Sequence, residues 1–133
     1  MSKSETQFTN KLKHYIEKYT DKTRHRVFFL KIHGGLMQRA GIPDVFIAFD
    51  GMRVWLEVKC GKNIPQLNQE LTIREMKAAG VPCYVLRNVG TTIALEDEKG
   101  TVLFCRRAGD TVHLRDAFTA MINWLMEQQN IIN

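Results

Sequence analysis

Cysteine is scarce in this sequence, and its spacing excludes two kinds of protein. The 3 cysteines, Cys60, Cys83 and Cys105, are odd in number and far apart, and no two of them form a Cys-x-x-Cys pair. That pattern argues against a disulfide framework and against a zinc site, and it is typical of a protein kept in a reducing cytosol. We therefore interpret the three cysteines as small buried hydrophobes.

Long apolar runs, a signal peptide and low-complexity linkers are also missing. No apolar run approaches the roughly 20 residues that a membrane-spanning helix needs, and residues 1–10 are too polar for a secretory signal. We therefore expect no contact with a membrane. The chain has 133 residues, of which 44% are hydrophobic and 25% charged. This size and composition predict a single domain over residues 1–133 that buries one core without metal or disulfides.

Acidic residues are sparse in the first half of the chain. Residues 1–63 hold 12 basic and 6 acidic side chains, whereas residues 64–133 hold 7 and 8, and the net charge of the whole chain is +5. A basic balance by itself is commonly only a solvated face. Next to candidate catalytic residues it favours a polyanionic partner such as DNA.

Hydrophobic periodicity predicts both helices and strands. Ser4 and Gln7 form a candidate capping box for the first helix, and Asp50-Gly51 is a strong hairpin turn signal. The predicted elements are a helix over 4–19, strands over 27–32, 45–49 and 53–59, a helix over 65–79, strands over 81–86, 91–95 and 101–105, and a helix over 114–128.

The order of these elements predicts the fold class. Pro65 suits the first turn of the middle helix and Gly80 its end, and the two strands that this helix connects should be parallel. The last two strands form a hairpin around residues 96–100. The chain is therefore expected to be α/β (α+β), a central mixed β-sheet flanked by helices, with a C-terminal β-hairpin and helix.

The chemistry lies in Gly41-Ile42-Pro43-Asp44 and Glu57-Val58-Lys59. Glu57 and Lys59 are two residues apart on a strand, so they share one face. Counted outward from the Asp50-Gly51 turn, Asp44 and Glu57 lie nearly opposite each other. Two carboxylates and one ammonium group are therefore predicted to converge.

Such a group suits a hard divalent cation, Mg²⁺ or Mn²⁺. These cations accept carboxylate oxygens together with water and substrate phosphate, and they favour phosphodiester hydrolysis. Lys59 would orient or deprotonate the attacking water and offset negative charge. Each motif also has a purely structural interpretation. Glu-x-Lys on a strand is often a solvated charge pair, and Pro-Asp is often only a turn.

Taken together, these motifs resemble the VRR-NUC members of the PD-(D/E)XK nuclease superfamily. The resemblance is carried by Gly41-Ile42-Pro43-Asp44, Glu57-Val58-Lys59, Gln69 and Ala79-Gly80. It covers about residues 4–88 and implies a restriction-endonuclease-like core, with residues 90–133 as an extension. The size is similar to that of small stand-alone members encoded by phages or bacteria.

The resemblance also implies roles for single residues. Asp44 and Glu57 would bind the metal together with the backbone carbonyl of Val58, and Lys59 would be the catalytic lysine. Glu5 would touch the metal through water or hold Lys59, although an acid in a first helical turn also suits the helix dipole. Gln69 would hydrogen-bond in the site or position the phosphate. Pro65 departs from the family spacing, so Gln66 competes with Gln69 for this role.

DNA contacts are expected mainly beside this site. Residues 33–43 are interpreted as a mobile segment that arches over the site and contacts the DNA backbone. Lys31 matches a basic position of the family, and Trp55 either packs in the core or stacks on a nucleotide. The predicted DNA-binding residues are Lys31, His33, Gln38, Arg39 and Lys62, although a loop histidine such as His33 is more often neither ligand nor base.

The leading hypothesis is a metal-dependent, structure-selective DNA endonuclease that is similar to Holliday-junction resolvases. That similarity implies branched DNA, a role in DNA repair, a homodimer and the cytosol of a bacterial or phage-infected cell. The dimer interface would come from the C-terminal hairpin and helix or from the first helix. Two alternatives stay open: a non-catalytic DNA-binding accessory on a nuclease scaffold, and a nuclease that acts on flaps, nicks or single strands.

Overall fold

The computed structural model describes residues 1–23, 25–32, 40–108 and 113–131, and of residues 19–23 only the backbone. These residues form helices and strands in the predicted order. The helices are α1 (Lys3–Thr23), α2 (Leu67–Ala78) and α3 (Leu114–Gln128), and the strands are β1 (Val27–Lys31), β2 (Val45–Phe49), β3 (Met52–Cys60), β4 (Cys83–Val89), β5 (Thr92–Glu96) and β6 (Val102–Arg107).

The strands form one six-stranded sheet in the order β1-β2-β3-β4-β5-β6. Strands β3 and β4 are parallel and are joined by α2, while all other neighbours are antiparallel. The predicted mixed sheet flanked by helices, its one parallel pair and its C-terminal hairpin and helix are confirmed. No helix in the described residues is long and apolar enough to cross a membrane.

The two faces of the sheet are covered by different helices. On the α1 face, which carries Val45, Leu56 and Val58, helices α1 and α3 close the main core. The α2 face carries Phe46, Trp55 and Glu57, and there α2 packs a smaller cluster. Fully buried side chains of the main core include Leu12, Ile16, Ile47, Leu56, Leu86, Phe118, Met121 and Leu125.

The Asp50-Gly51 hairpin fixes the register of β2 on β3. Both residues have positive φ values, 48° and 93°, as the favoured two-residue hairpin turn requires. The side chain of Asp50 pairs with His25 and accepts the N–H of Arg26 at 2.9 Å, which ties β1 to the same turn.

Three local predictions are wrong. Helix α1 begins two residues after Met1, because Ser2 and not Ser4 caps it: Ser2 Oγ accepts the Glu5 N–H at 3.2 Å, and Glu5 Oε1 accepts the Ser2 N–H at 3.1 Å. Helix α2 begins after its N-cap Gln66, so Pro65 lies outside it. Cys105 is exposed because it lies on β6 at the edge of the sheet, whereas Cys83 is buried; all three thiols are free.

Candidate active site

The site forms where β3 extends beyond the end of β2. The ladder between them pairs Phe49 with Met52 and ends at Val45 and Leu56. One further step places Asp44 opposite Glu57, which confirms the predicted opposition. Strand β3 continues to Cys60 without a β2 partner.

Two carboxylates take the place of the missing strand. Asp44 Oδ2 accepts the N–H of Val58 at 2.9 Å, and Glu5 Oε2 accepts the N–H of Cys60 at 3.2 Å. In a strand, the N–H and C=O of one residue point to the same side. The carbonyl of Val58 therefore points to the side where Asp44 lies, which is the position that a metal-binding carbonyl requires.

Glu57 lies at the centre of the site and is almost fully buried, with 1% of its surface exposed. Its Oε1 accepts the side-chain amide of Gln69 at 2.9 Å and lies 3.7 Å from Lys59 Nζ. Its Oε2 is also buried but has no hydrogen-bond partner among the described residues. Buried carboxylate oxygens are rarely left unpaired, because the lost hydration costs about 1–3 kcal/mol or more. This oxygen is therefore available to a proton or a cation shared with the neighbouring Asp44 carboxyl.

The pKa of Glu57 also indicates that its negative charge is poorly compensated by the surrounding protein. Burial and the neighbouring charge of Asp44 raise the pKa of Glu57 to about 9, although Lys59 opposes the shift. Near neutral pH Glu57 is therefore protonated when no further positive charge compensates it. A divalent cation would replace that proton and allow Glu57 to ionise.

The donors of the site fit a hard cation. Asp44, Glu57 and the Val58 carbonyl supply only oxygen atoms, which Mg²⁺ and Mn²⁺ prefer. Among the described residues, no group of three or more His, Cys, Asp or Glu side chains is arranged to hold a metal ion. The protein would thus contribute two carboxylates and one carbonyl and leave the other coordination positions to water and substrate.

Helix α2 brings Gln69 into the site, and the competition with Gln66 has a geometric answer. Gln69 Oε1 accepts the backbone N–H of Gln66 at 2.8 Å, which leaves Gln69 Nε2 directed at Glu57. Gln66 is exposed and serves as the N-cap of the helix. Gln69 is therefore the glutamine that contacts the carboxylate.

Gly41 sets the distance between α2 and the Asp44 segment. Its φ is 86°, and a Cβ atom at this position would lie 2.4 Å from the backbone oxygen of Asn68 and 2.9 Å from Thr72 Oγ1. Only glycine allows the chain to pass so close to the helix. This explains why the sequence places glycine three residues before Asp44.

Glu5 is buried, but its hydrogen bonds go to the protein. They come from Ser2, from the N–H of Cys60 and from Asn63 Nδ2 at 3.2 Å. Burial alone would raise its pKa, but these bonds and the charge of Lys59 together lower the pKa below the usual value. Glu5 thus joins α1 to the end of β3 beside Lys59, which is consistent with both the structural and the functional interpretation.

The predicted DNA-binding residues lie in different places. Lys31 pairs with Val45 across β1 and β2, so it is on the α1 face, opposite to Lys59. Lys62 is exposed in the turn after β3, close along the chain to Lys59. His33, Gln38 and Arg39, together with most of the predicted loop over 33–43, lie outside the described residues.

Sequence reasoning missed Arg87. It pairs with Lys59 across the parallel strands and donates to the carbonyls of Gly61 and Asn63 at 2.9 and 2.6 Å, while Glu96 holds its Nε at 2.8 Å. Arg87 thus fixes the turn whose Asn63 binds Glu5. The only available signal was an arginine that alternates with buried residues on β4.

Comparison with known proteins found no family model and no curated protein that matches the chain. The resemblance to nucleases therefore depends on the motif spacing and on the positions of Asp44, Glu57, Lys59 and Gln69.

Proposed function

We propose that this protein is a divalent-metal-dependent, structure-selective DNA endonuclease of the VRR-NUC type. The observation that carries the proposal is the buried, unpaired Oε2 of Glu57 beside Asp44, with Lys59 3.7 Å from the other oxygen of the same carboxylate. A purely structural charge pair would satisfy both oxygens or leave them in water.

Each group of the chain has a distinct task in this reaction. Asp44, Glu57 and the Val58 carbonyl would hold Mg²⁺ or Mn²⁺, which when bound polarises the phosphate and acidifies water. Gln69 fixes the orientation of Glu57 by occupying Oε1, so that Oε2 faces the ligand. Lys59 offsets the negative charge that develops on the phosphate and orients the attacking water.

The substrate class follows from charge and from the surroundings of the site. The net charge of +5 favours a polyanion, and the sequence contains no recognition-helix or zinc-finger signature. We therefore propose recognition of DNA shape, in the manner of a Holliday-junction resolvase involved in DNA repair. A two-fold homodimer would supply the two related cuts that a four-way junction needs. The place of action would be the cytosol of a bacterial or phage-infected cell.

The proposal is tested by cleavage of labelled DNA. A four-way junction, a flap, a single strand and a linear duplex are incubated with the protein in Mg²⁺, Mn²⁺ or EDTA. We expect cleavage only with metal and fastest on a branched substrate. Binding of these DNAs without any cleavage in either metal would contradict the nuclease proposal and favour a non-catalytic DNA-binding accessory.

Metal binding should also be visible without DNA. At a metal concentration ten times the Kd, binding stabilises the fold by about 1.4 kcal/mol, which should raise the Tm by roughly 3–6 °C. Glu57→Gln removes the carboxylate that would bind the metal, but its amide imitates the uncharged, protonated form of Glu57. We expect this variant to be at least as stable as the wild type without metal and to show no shift with Mn²⁺.

Differential scanning fluorimetry measures both effects. Glu127→Gln is the matched control, because Glu127 is exposed on α3. This control should keep the full metal-induced shift. An equal shift in Glu57→Gln would place the metal elsewhere in the protein.

A further inference from the structure

A row of aromatic side chains crosses the α2 face beside the site. Phe28 on β1, Phe46 on β2 and Trp55 on β3 follow one another, with ring centroids 6.2 Å apart for the first pair and 5.0 Å for the second. We call these three residues the aromatic row. Phe28 is 55% exposed, and its neighbour Leu30 is 42% exposed.

Core packing accounts for only one end of this row. Trp55 packs against the cluster of Ile73, Cys83 and Val85 beneath α2. Phe28 lies on the edge strand, on the face opposite to the main core. An exposed phenylalanine in line with a half-buried tryptophan leaves a continuous aromatic surface available to a ligand.

The row borders a shallow cavity with a favourable charge. The cavity has a volume of about 280 Å³ and is lined by Phe46, Arg53, Trp55, Gly80, Val81 and Pro82. The lining thus contains two aromatic rings, one cation and no acid. Aromatic rings stack on nucleobases, and an arginine beside them attracts the phosphates of the same strand.

The row is also continuous with the candidate active site. Trp55, Glu57 and Lys59 alternate along one face of β3, so Trp55 and Glu57 are separated by about 6.6–6.8 Å along the strand. A nucleotide next to a phosphate held at Glu57 therefore reaches the row. A second copy of this chain also carries a net positive charge, so it would be repelled by Arg53. The phosphates of a DNA strand would be attracted to Arg53, which favours DNA as the partner of this surface.

We propose that the aromatic row is a stacking platform for unpaired bases of the DNA strand that is cut. The inference rests on the proposed function for the identity of the polymer, and it narrows the substrate to DNA with a splayed or single-stranded segment next to the scissile phosphate. Bases of an intact duplex are already stacked on each other and gain little from such a platform.

The test compares the binding of a labelled single strand with that of a blunt duplex of the same sequence. Fluorescence anisotropy in EDTA measures both dissociation constants without cleavage. Phe28→Ala should weaken single-strand binding about tenfold, since one base loses the aromatic ring on which it stacks. Its effect on the duplex should be less than twofold.

Val102→Ala is the matched control. Val102 is an apolar residue with 53% exposure on β6, at the other end of the sheet. It should change neither dissociation constant by more than twofold. Thermal unfolding of both variants establishes that they are folded.

The two tryptophans provide a second readout. In a Trp124→Phe background, Trp55 is the one remaining tryptophan of the sequence. Its emission should be quenched by the single strand and should change little with the duplex. Unchanged Trp55 emission with a bound single strand would overturn the platform.

The other outcomes are equally decisive. No loss in Phe28→Ala, or an equal loss on both DNAs, would overturn the proposal, as would a sedimentation measurement in which this variant turns a dimer into monomers. A protein that cuts DNA but shows none of these effects keeps the nuclease function and loses the platform. A protein that cuts nothing but shows a Phe28-dependent preference for single strands loses the nuclease function and keeps the row only as a binding platform for unpaired bases.

Discussion

Asp44→Ala and Lys59→Ala should abolish DNA cleavage while the protein stays folded. Asp44 and Glu57 are the two carboxylates proposed to bind the metal ion. The loss of Asp44 therefore removes half of the negatively charged metal ligands. Lys59 is the cation nearest to Glu57 in the described site, and removing one group that stabilises transition-state charge costs about 10²–10³-fold in rate. We expect no detectable product with Asp44→Ala and a loss of at least that size with Lys59→Ala.

The fold should tolerate both changes. Asp44→Ala leaves the N–H of Val58 without its acceptor, at a cost of about 1–3 kcal/mol, but it also removes the charge that raises the pKa of Glu57. Initial rates on the preferred DNA and thermal unfolding are measured together. Lys99→Ala is the control, since Lys99 is exposed in the turn between β5 and β6. A Lys59→Ala rate within tenfold of the wild type would remove Lys59 from the mechanism.

Gly41→Ala should cause the largest loss of stability in the segment that leads to Asp44. A side chain at φ 86° costs about 1–2 kcal/mol, and pushing a methyl group against the Asn68 carbonyl at 2.4 Å adds about 1–3 kcal/mol. The expected loss in the free energy of unfolding is therefore ~2–5 kcal/mol. Relief of the contact would move α2, and with it Gln69, away from Glu57, so cleavage should fall even at temperatures where the variant is folded.

Gly90→Ala separates the contact from the backbone conformation. Gly90 also has a positive φ, 57°, but a Cβ atom there meets nothing within 4 Å. It should lose only about 1–2 kcal/mol and keep full activity. Denaturant unfolding and cleavage rates measure the pair. Equal losses in the two variants would show that the approach to Asn68 has no energetic importance.

Much of the sheet could be predicted because its signals are local. Asp50-Gly51 determines the turn, the turn determines the register, and the register places Asp44 opposite Glu57, so the central pair of the site follows from counting. The predicted bounds of the last helix, 114–128, match those of α3, because apolar residues recur there at a helical spacing.

The remaining details depend on contacts that sequence patterns do not contain. Gln66 and Gln69 are three residues apart and lie near one face of a helix, so the sequence could not decide between them. The choice depends on which backbone N–H each side chain meets. Arg87 binds the carbonyls of Gly61 and Asn63, more than twenty residues away, and a backbone carbonyl carries no residue identity. Ser2 with Glu5 and Ser4 with Gln7 are equally good capping boxes by sequence, and only the observed hydrogen bonds between Ser2 and Glu5 separate them.

The end of β3 that lacks a β2 partner has a consequence for the exchange of its amide hydrogens with solvent. The amide hydrogens of Val58 and Cys60 are held by side chains from two distant parts of the chain, Asp44 and Glu5. The Val58 amide is shielded from exchange with solvent only when the segment before β2 has docked, and the Cys60 amide only when α1 has docked. Slow exchange at both amides therefore reports that both segments, and with them Asp44 and Glu5, have reached the end of β3.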